Sequence, residues 1–311
     1  MTKWTEADIP DQTGRTVLVT GANSGLGLRS AELLASRGAR VLMACRDPER
    51  GRAAVDRVRA VSSTDPELVT LDLADLASVR KAAESVRELT GDTLDVVMNN
   101  AGIMAVPHRT TADGFELQVG TNHLGHAGLT WLLMPALRSR PGARVVTLSS
   151  IAHLGGNLDV ADLNFGSRSY TPAKGYTQSK LANLMFAVEL DRRVQAAGLD
   201  LVSVAAHPGM SETELPGNSI RMRTTSSVVD KLTRLGNKVV TQPVERGVLP
   251  QLYAATAPGV RGGEYYGPNG FRELRGWPAL AKKLRAASDE RTGRALWSVT
   301  ADLTGIDPDP A

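Results

Sequence analysis

Short apolar runs alternate with longer amphipathic stretches along most of the chain. Runs such as Arg40–Cys45 and Leu94–Met98 contain almost no polar residues. Strands of this kind are typical of parallel sheets that are buried on both faces. The stretches between them, for example Pro48–Ser62, carry apolar residues at helical spacing. This alternation predicts right-handed βαβ units, and therefore a parallel sheet with helices on both faces.

The pattern predicts about seven strands in one Rossmann-type domain over residues 1–311, an α/β fold with a doubly wound parallel sheet. Strands are expected at 15–20, 40–45, 68–71, 94–98, 144–149, 200–205 and 262–266. Helices are expected after the first strand, at 48–62, 76–89 and 115–137, from about 175, and after 277. We interpret residues 211–241, rich in Ser, Thr, Gly and Arg, as a substrate-loop insertion, and residues 277–311 as a C-terminal extension.

Composition narrows the classes of protein that fit this fold. Of 311 residues, 42% are hydrophobic, and the net charge is only +3. Since no basic block is present, no nucleic-acid partner is expected. Cys45 is the only cysteine, which excludes an intrachain disulfide and a cysteine-cluster metal site and suggests a reducing compartment. The polar N-terminus and the lack of a long apolar run predict no signal peptide and no membrane anchor, hence a cytoplasmic location.

A glycine-rich stretch, TGANSGLG, follows the first predicted strand and opens the first helix. Glycines at these positions permit a tight turn, close approach of a pyrophosphate and close packing of helix on strand. Phosphates would then meet the free N–H groups at the positive end of the helix. The expected cofactor contacts are Gly21, Asn23, Ser24, Gly25, Leu26 and Gly27. A plain glycine turn between two elements is the alternative interpretation.

The second predicted strand ends at Cys45-Arg46-Asp47. An acidic residue at this strand end would bind the ribose hydroxyls of NAD, whereas a guanidinium suits the 2′-phosphate of NADP. Arg46 therefore favours NADP over NAD. Asp47 could be the ribose acid, but its place beside Pro48 is more typical of a helix N-cap. Cys45 is interpreted as a small packing residue.

Two more strand ends carry candidate cofactor contacts. Asp72 and Leu73 follow the third strand, where the carboxylate could accept a hydrogen bond from an adenine amino group or serve as a cap. The small residues of Asn100-Ala101-Gly102 follow the fourth strand. Ligands of doubly wound folds bind at this edge of the sheet, so small side chains here allow a cofactor to approach closely.

Tyr176 and Lys180 are four residues apart in a predicted helix, and therefore lie one turn apart on one face. A phenol has an unperturbed pKa of about 10, and a positive charge at about 4 Å is expected to lower it toward neutral pH. A tyrosine of that kind suits general acid–base chemistry. The spacing alone is also common in exposed pairs, so this interpretation depends on the rest of the chain.

Together these residues resemble the short-chain dehydrogenase/reductase family. TGANSGLG, NNAG, the asparagine of TNHLGH, the serines of TLSSIAH, YTQSK and HPG occur in the family's order over roughly residues 13 to 215. ACRDPERG and YTQSKLANLMF are similar to its retinol-dehydrogenase-like and protochlorophyllide-reductase-like branch. An epimerase or dehydratase of the longer branch fits less well, since that branch has a different glycine spacing.

The resemblance implies a role for each catalytic candidate. Tyr176 would donate the proton to a carbonyl, or remove it from an alcohol, and Lys180 would tune it and bind the nicotinamide ribose. Ser150, rather than Ser149, would hold the substrate oxygen. Asn122 would support a water that links Lys180 to solvent. A hydroxyl suits its role because it can stabilise developing negative charge on oxygen.

The remaining assignments follow from the same resemblance. Pro208 and Gly209 would contact the cofactor, as would Thr213, although MSE between Gly209 and Thr213 departs from the family's pattern. Three histidines near the motifs are interpreted as packing or supporting residues, and no metal site is expected: His123, His126 and His153.

These features predict an NADP(H)-dependent oxidoreductase that interconverts a carbonyl and an alcohol. The alternatives are an NAD-preferring alcohol dehydrogenase and a catalytically inactive nucleotide-sensing regulator. The expected pocket walls suggest an apolar, fairly bulky substrate: Leu154, Leu158, Phe165, Tyr170, Leu215, Ile220 and Met222. A homo-oligomer is expected, because the family often pairs the helices of Asn122 and Tyr176 across a dimer interface.

Overall fold

The computed structural model describes residues 3–211 and 242–310. Its strands, within these ranges, form one sheet in the order β3-β2-β1-β4-β5-β6-β7-β8. Their bounds are β1 Thr16–Thr20, β2 Arg40–Cys45, β3 Glu67–Thr70, β4 Val96–Asn99, β5 Ala143–Leu148, β6 Leu201–Ala206, β7 Tyr265–Pro268 and β8 Pro278–Leu280. Strands β1 to β7 are parallel, which confirms the predicted Rossmann-type sheet.

The helices lie between the strands, as the alternation predicted. Their bounds are α1 Gly25–Ser36, α2 Pro48–Arg59, α3 Leu76–Thr90, α4 Leu117–Val119, α5 Gly125–Arg138, α6 Pro172–Ala196, α7 Val244–Gly247, α8 Leu249–Thr256 and α9 Glu290–Thr304. Short 3-10 helices occur at Glu6–Asp8, Ile151–Gly155, Val160–Asp162, Phe271–Glu273 and Arg285–Ser288. In the part of the chain that is described, no helix combines the length and the apolar character needed to cross a bilayer.

Alternating strand residues pack into separate cores on the two faces of the sheet. In β1, Val17 and Val19 join one core with residues of α1, α2 and α8, while Leu18 joins the other with residues of α3, α5 and α6. All three side chains are fully buried. Because successive strand residues point to opposite faces, a strand covered on both sides must be apolar at every position. This is why unbroken apolar runs identified the strands.

The long helix predicted at 115–137 is interrupted. The turn Gly120–Leu124 between α4 and α5 is a π-helix, in which the Gly125 N–H donates to the Gly120 carbonyl. The two glycines are required by close packing, since a Cβ on Gly120 would lie 2.4 Å from Thr111 Cγ2 and one on Gly125 would lie 2.3 Å from Leu73 O. Single π turns inside helices occur frequently at functional sites.

The C-terminal part of the chain differs from the prediction. Residues after 277 were expected to be helical, but Pro278–Leu280 forms β8, which pairs antiparallel with β7 as an eighth strand. A three-residue strand is too short to show a periodicity, so its pairing with β7 is what reveals it. Helix α9 follows and packs on α5 and α6, where Trp297 stacks on Phe186 at 5.5 Å and meets Trp131 edge to face.

The strand order places a topological switch between β1 and β4. The chain passes from β1 outward to β2 and β3 and then returns to β4 on the other side of β1. Loops that leave the two sides of such a point diverge and create a crevice at the carboxyl ends of the strands. The loops after β1, β2, β3, β4, β5 and β6 carry the residues singled out from the sequence.

Candidate active site

A cleft of about 820 Å³ opens at the carboxyl ends of the strands. It brings together nearly all of the residues predicted from the sequence. Those lining it are Gly21, Asn23, Ser24, Gly25, Leu26, Gly27, Arg46, Asp72, Leu73, Asn100, Ala101, Gly102, Ser150, Tyr176, Lys180, Pro208 and Gly209. Asn122 lies behind this surface rather than on it, and Thr213 lies outside the described residues.

The glycine loop between β1 and α1 leaves backbone donors facing the cleft. Gly21 has a φ of +66°, a left-handed conformation that suits glycine. A Cβ on Gly27 would lie 2.4 Å from the Gly21 carbonyl oxygen, so only glycine permits this packing. Ser24 is the N-cap of α1 but its side chain makes no capping bond. The first N–H groups of α1 have no partner within the helix and are available to an anion.

The end of β2 presents two arginines to the cleft. Arg46 and Arg50 both line it and are exposed, and neither side chain has an ion pair or hydrogen bond to any other described residue. Asp47 is the N-cap of α2, where its Oδ1 accepts from the N–H groups of Glu49 at 2.9 Å and Arg50 at 3.2 Å. The N-cap interpretation of Asp47 is thus confirmed. Two guanidinium groups remain to bind an anion here.

Cys45, at the end of β2, is buried. Burial raises the pKa of its thiol to about 12, so it remains protonated and unreactive at neutral pH. This agrees with its interpretation as a packing residue.

The Asn100–Gly102 turn is fastened to the end of β1. The Thr20 hydroxyl accepts from the N–H groups of Asn100 and Ala101, each at 2.9 Å, and the Asn100 Nδ2 donates to the Thr20 carbonyl at 2.7 Å. Gln251 Nε2 donates to Asn100 Oδ1 at 3.2 Å. These bonds fix the turn at the surface of the cleft. Its small residues leave room there for a ligand.

Asn122 connects three parts of the site from the π turn. Its Oδ1 accepts from Ile103 N at 2.9 Å, while its Nδ2 donates to Ile103 O at 3.0 Å and to Ser179 Oγ at 2.9 Å. The side chain is fully buried, and these bonds satisfy both ends of the amide. A Cβ on Gly102 would lie 3.2 Å from Asn122 Oδ1 and 3.4 Å from Lys180 Nζ, which shows how close Asn122, Gly102 and Lys180 lie.

Helix α6 carries Tyr176 and Lys180 into the cleft. It begins at Pro172 after the N-cap Thr171, whose hydroxyl accepts from Lys174 N at 3.1 Å. The side chains of Tyr176 and Ser150 lie close enough for the Ser150 hydroxyl to lower the pKa of the phenol. Ser150 itself is held as the N-cap of the 3-10 helix that follows β5. A hydroxyl, a phenol and an ammonium therefore converge from two elements on one wall of the cleft.

The pKa of Tyr176 differs from the expectation. Burial raises the pKa of Tyr176, against a smaller lowering effect of the Ser150 hydroxyl. Burial also lowers the pKa of Lys180 to about 8. Lys180 Nζ lies 5.9 Å from the centroid of the Tyr176 ring and donates to the Leu148 carbonyl at 3.2 Å. The prediction that Lys180 brings the Tyr176 pKa near neutrality is therefore wrong for the chain by itself.

The histidines singled out near the motifs are all buried. His123 is hydrogen-bonded to Thr300 Oγ1 at 2.9 Å, and His153 Nδ1 contacts Ser150 O at 2.7 Å. Burial lowers the pKa of His123 to about 4 and that of His126 to about 3, so both are neutral at physiological pH. Within residues 3–211 and 242–310, no group of three His, Cys, Asp or Glu side chains is placed to hold a metal ion.

The predicted pocket walls are partly wrong. Among the described candidates, the cleft is not lined by Leu154, Leu158, Phe165 or Tyr170. Leu158 and Phe165 turn inward, Leu154 is half exposed, and Tyr170 is bonded to the Val106 carbonyl. The other three candidates, Leu215, Ile220 and Met222, lie outside the described residues. Among the described residues the apolar side of the cleft consists of Ile103, Met104, Ala105, Ile151, Ala152, Ala173 and Met210, and the interval 151–174, also expected to form the walls, thus contributes its two ends.

Four polar residues that line the cleft were not singled out from the sequence: Arg50, Thr121, Thr177 and Ser211. Arg50 looked like one of several arginines on the solvent face of α2. The hydroxyl groups of Thr121 and Ser211 are buried and have no hydrogen-bond partner within residues 3–211 and 242–310. The signal for Thr121 was its place next to Asn122, whereas Arg50 could have been found from its helical spacing to Arg46.

Comparisons with known proteins agree with this geometry. A family model described as short chain dehydrogenase matches residues 15–223. Human retinol dehydrogenase 13 is 39% identical over 308 residues, which cover 97% of this chain and 87% of that protein. Mouse polyprenol dehydrogenase is 40% identical over 302 residues, which cover 96% of this chain and 86% of that protein.

A solved structure is similar over nearly its whole length. It is an uncharacterised protein from Mycobacterium paratuberculosis with 42% sequence identity and a TM-score of 0.80. The similarity covers 98% of this chain and 99% of that one. The matched region therefore includes β7, β8 and α9 as well as the part that the family model covers.

Proposed function

The chain belongs to the short-chain dehydrogenase family, and from that premise we propose that it is an NADP(H)-dependent oxidoreductase that interconverts a carbonyl and an alcohol on an apolar, fairly bulky substrate. The family and its curated relatives identify an NAD(P)-dependent enzyme acting on alcohol or carbonyl groups. The observation that carries the finer proposal is the common cleft. One cavity is lined by the glycine loop, by Arg46 and Arg50, and by Ser150, Tyr176 and Lys180.

The residues of the cleft fit a dinucleotide. The tight packing of Gly27 on the Gly21 carbonyl fixes the loop, and the uncapped start of α1 leaves backbone donors for a pyrophosphate. The hydroxyls of Thr121 and Ser211, which have no partner among the described residues, are buried donors that a bound ligand would satisfy. We propose that Asp72 and Leu73 lie beside the adenine, and that Asn100–Gly102 and Lys180 lie beside the nicotinamide half. When bound, the cofactor supplies the hydride.

Side chains of the protein would supply the proton that the carbonyl oxygen takes up. With its raised pKa, Tyr176 stays protonated at neutral pH, which is the form that can donate a proton to a carbonyl oxygen. Ser150, which lines the cleft beside Tyr176, would hold the same oxygen. Lys180 would stabilise the phenolate left behind, because its positive charge lies on the same wall of the cleft. We propose that Asn122 acts from behind Gly102 by keeping Lys180 and the Ile103 backbone in place.

The preference for NADP rests on the end of β2. Arg46 and Arg50 offer two guanidinium groups without partners among the described residues, whereas the nearby carboxylate of Asp47 caps α2. A 2′-phosphate would be bound by both arginines, while the carboxylate at this strand end, that of Asp47, already accepts through its Oδ1 from the N-terminus of α2. An NAD-preferring dehydrogenase is for this reason the weaker alternative.

An apolar substrate fits the opposite wall. Ile103, Met104, Ile151 and Ala152 line the cleft beside Tyr176, with no charged side chain among them. Two curated relatives carry the names retinol dehydrogenase and polyprenol dehydrogenase, both of which denote apolar alcohols. We propose an isoprenoid-like or similarly bulky apolar alcohol and its carbonyl as the substrate pair. A cytoplasmic location stays a prediction from the sequence.

We propose that the homo-oligomer expected from the family uses a surface other than the helices of Asn122 and Tyr176. In the described chain α5 and the Gln178–Leu190 part of α6 are almost entirely buried within one copy. Helix α9 covers them through the stack of Trp297 on Phe186 and through Arg193, whose guanidinium lies 4.7 Å from the Trp297 ring. We propose that α9 takes the place that a second subunit would occupy on these helices.

The proposed function is tested by steady-state kinetics with paired cofactors. We expect the wild-type protein to reduce long-chain or isoprenoid aldehydes with NADPH, and to prefer NADPH over NADH by about a hundredfold in kcat/KM. Short hydrophilic aldehydes serve as the matched control and should be poor substrates. A preference for NADH would favour the alternative dehydrogenase. Binding of NADPH without turnover of any carbonyl would favour a nucleotide-sensing regulator.

The pH dependence of carbonyl reduction should follow the ionisation of Lys180. A lysine whose pKa is lowered to about 8 is charged below that pH and loses its charge as the pH rises through it. Because that charge stabilises the Tyr176 phenolate, we expect kcat/KM with NADPH to be flat from about pH 6 to about pH 7 and to fall above about pH 8. Lys180→Arg keeps its charge throughout, so its lower activity should show no such fall. A fall at the same pH in both proteins would assign the ionisation to another group.

A further inference from the structure

His126 is a buried histidine at the start of α5, in contact with two parts of the site that the chemistry described so far leaves unconnected. Its Nδ1 lies 2.9 Å from the Asn122 carbonyl oxygen and its Nε2 lies 2.9 Å from the Thr20 hydroxyl. Only 1% of its surface is exposed. The ring therefore spans from the π turn of Asn122 to the end of β1.

The hydrogen-bond partners determine the tautomer of this ring. A carbonyl oxygen can only accept, so the contact with Asn122 requires a proton on Nδ1. In the neutral ring Nε2 is then an acceptor, and the Thr20 hydroxyl donates to it at 2.9 Å, with the Met98 carbonyl at 3.2 Å as the longer, competing acceptor of the same proton. The oxygen of that hydroxyl in turn accepts the N–H groups of Asn100 and Ala101. The resulting chain of donors runs from the Asn100–Ala101 backbone through Thr20 and His126 to the Asn122 carbonyl.

This series of hydrogen bonds joins the part of the cleft that would bind the cofactor to the part that holds Tyr176 and Lys180. The Asn100–Gly102 turn lines the cleft, and Lys180 lies on the other side of Gly102. Asn122 is held on its side-chain end by Ile103 and Ser179, and His126 adds a side-chain hydrogen bond to its carbonyl. The π turn has the wider backbone bond from Gly125 N–H to the Gly120 carbonyl, so this side-chain bond fixes the turn at a second point.

We propose that His126 is a positioning residue with two separable functions, one for each ring nitrogen. Its Nδ1–H fixes the Asn122 carbonyl and with it the surroundings of Lys180, while its Nε2 fixes the Thr20 hydroxyl and with it the cofactor-binding turn. The first function rests on the proposed role of Asn122 and Lys180 in the reaction. The second concerns binding of the dinucleotide and is independent of turnover.

Two substitutions separate these functions, because Asn and Gln each imitate one nitrogen of the ring. His126→Asn keeps a donor near the Nδ1 position but offers nothing to Thr20. His126→Gln keeps an acceptor near the Nε2 position but has no donor for Asn122. We expect H126Q to lower kcat about tenfold with KM for NADPH within about threefold, and H126N to raise the NADPH Kd and KM about fivefold to tenfold with a smaller change in kcat.

His123→Gln is the matched control. It replaces a second buried histidine, which lies in the π turn three residues before His126 and is hydrogen-bonded to Thr300 on α9, not to a residue that lines the cleft. We expect H123Q to lower the melting temperature and to leave both kinetic parameters within about twofold. If H126N and H126Q lower kcat and NADPH affinity in the same proportion, or change only the melting temperature, His126 is a core residue and the proposal is wrong.

A nuclear magnetic resonance measurement tests the tautomer without any turnover. In protein labelled with 15N-histidine, the His126 signals, assigned by their loss in H126N, should show a protonated Nδ1 and a bare Nε2. They should not titrate between about pH 5 and about pH 8, since burial lowers the pKa of His126 to about 3. A proton on Nε2 would overturn the proposal. Should the wild type reduce no carbonyl, the proposed function fails, while the NADPH titrations and this spectrum still decide the role of His126.

Discussion

Replacing Tyr176 with phenylalanine will lower kcat for carbonyl reduction by about a thousandfold and leave the Kd for NADPH within about threefold. The substitution removes only the hydroxyl, and with it the single proton donor that we assign to the substrate oxygen. Ser150 and Lys180 remain in place, so the cofactor-binding side of the cleft is unchanged. The measurement is single-turnover reduction of an aldehyde by bound NADPH, together with a fluorescence titration of NADPH.

Tyr253→Phe is the control for loss of a phenol. Its ring packs edge to face on Trp4 at 5.3 Å, and it does not line the cleft. Its activity should equal that of the wild type. Should Tyr176→Phe retain carbonyl reduction over a range of substrates, the proton must come from another group, and the assignment of Tyr176 would be wrong.

Replacing Arg46 with aspartate will abolish or reverse the cofactor preference. The change removes one of the two guanidinium groups at the end of β2 and places a carboxylate where the 2′-phosphate would lie. We expect kcat/KM for NADPH to fall by about a hundredfold to a thousandfold, and that for NADH to stay level or to rise, because the new carboxylate can accept from the ribose hydroxyls. The measurement is kcat/KM for both cofactors at low and at high salt.

Two further arginines of α2 complete this experiment. Arg50→Gln, which removes the second guanidinium group, should lower kcat/KM for NADPH about tenfold and leave that for NADH unchanged. Arg52→Asp carries the same charge change as Arg46→Asp, but Arg52 is exposed on the same helix and does not line the cleft. It should change neither value by more than about twofold. An Arg46→Asp protein that still prefers NADPH would refute the role of this strand end.

Much of the fold could be predicted because strands buried on both faces appear in the sequence as continuous apolar runs. Arg40–Cys45 was expected as a strand and is observed with the same bounds. The glycine loop between β1 and α1 and the Tyr176–Lys180 pair are local features, in which spacing along the chain determines spacing in the structure. For the same reason, the strand ends identified which residues would meet in one cleft.

The features that could not be predicted depend on contacts between distant segments. Pro278–Leu280 pairs with β7, and Trp297 packs on Phe186. In both cases no sequence pattern indicates that the two segments meet. The pocket walls were misjudged because Leu158 and Phe165 are as apolar as true wall residues but turn into the core. The direction of the Tyr176 pKa was misjudged because helical spacing shows how near Lys180 is, but not how far burial disfavours the phenolate.

Transfer of a labelled hydride is the measurement that tests the central claim most directly. The wild-type protein is mixed with NADPH that carries deuterium on either face of C4 and with a long-chain or isoprenoid aldehyde, and the alcohol product is examined by mass spectrometry. We expect one deuterium on the carbinol carbon from one of the two labelled cofactors, and about a thousandfold less product from Tyr176→Phe. Tight binding of NADPH with no labelled alcohol from any aldehyde would contradict the claim that the cleft is a carbonyl-reducing active site.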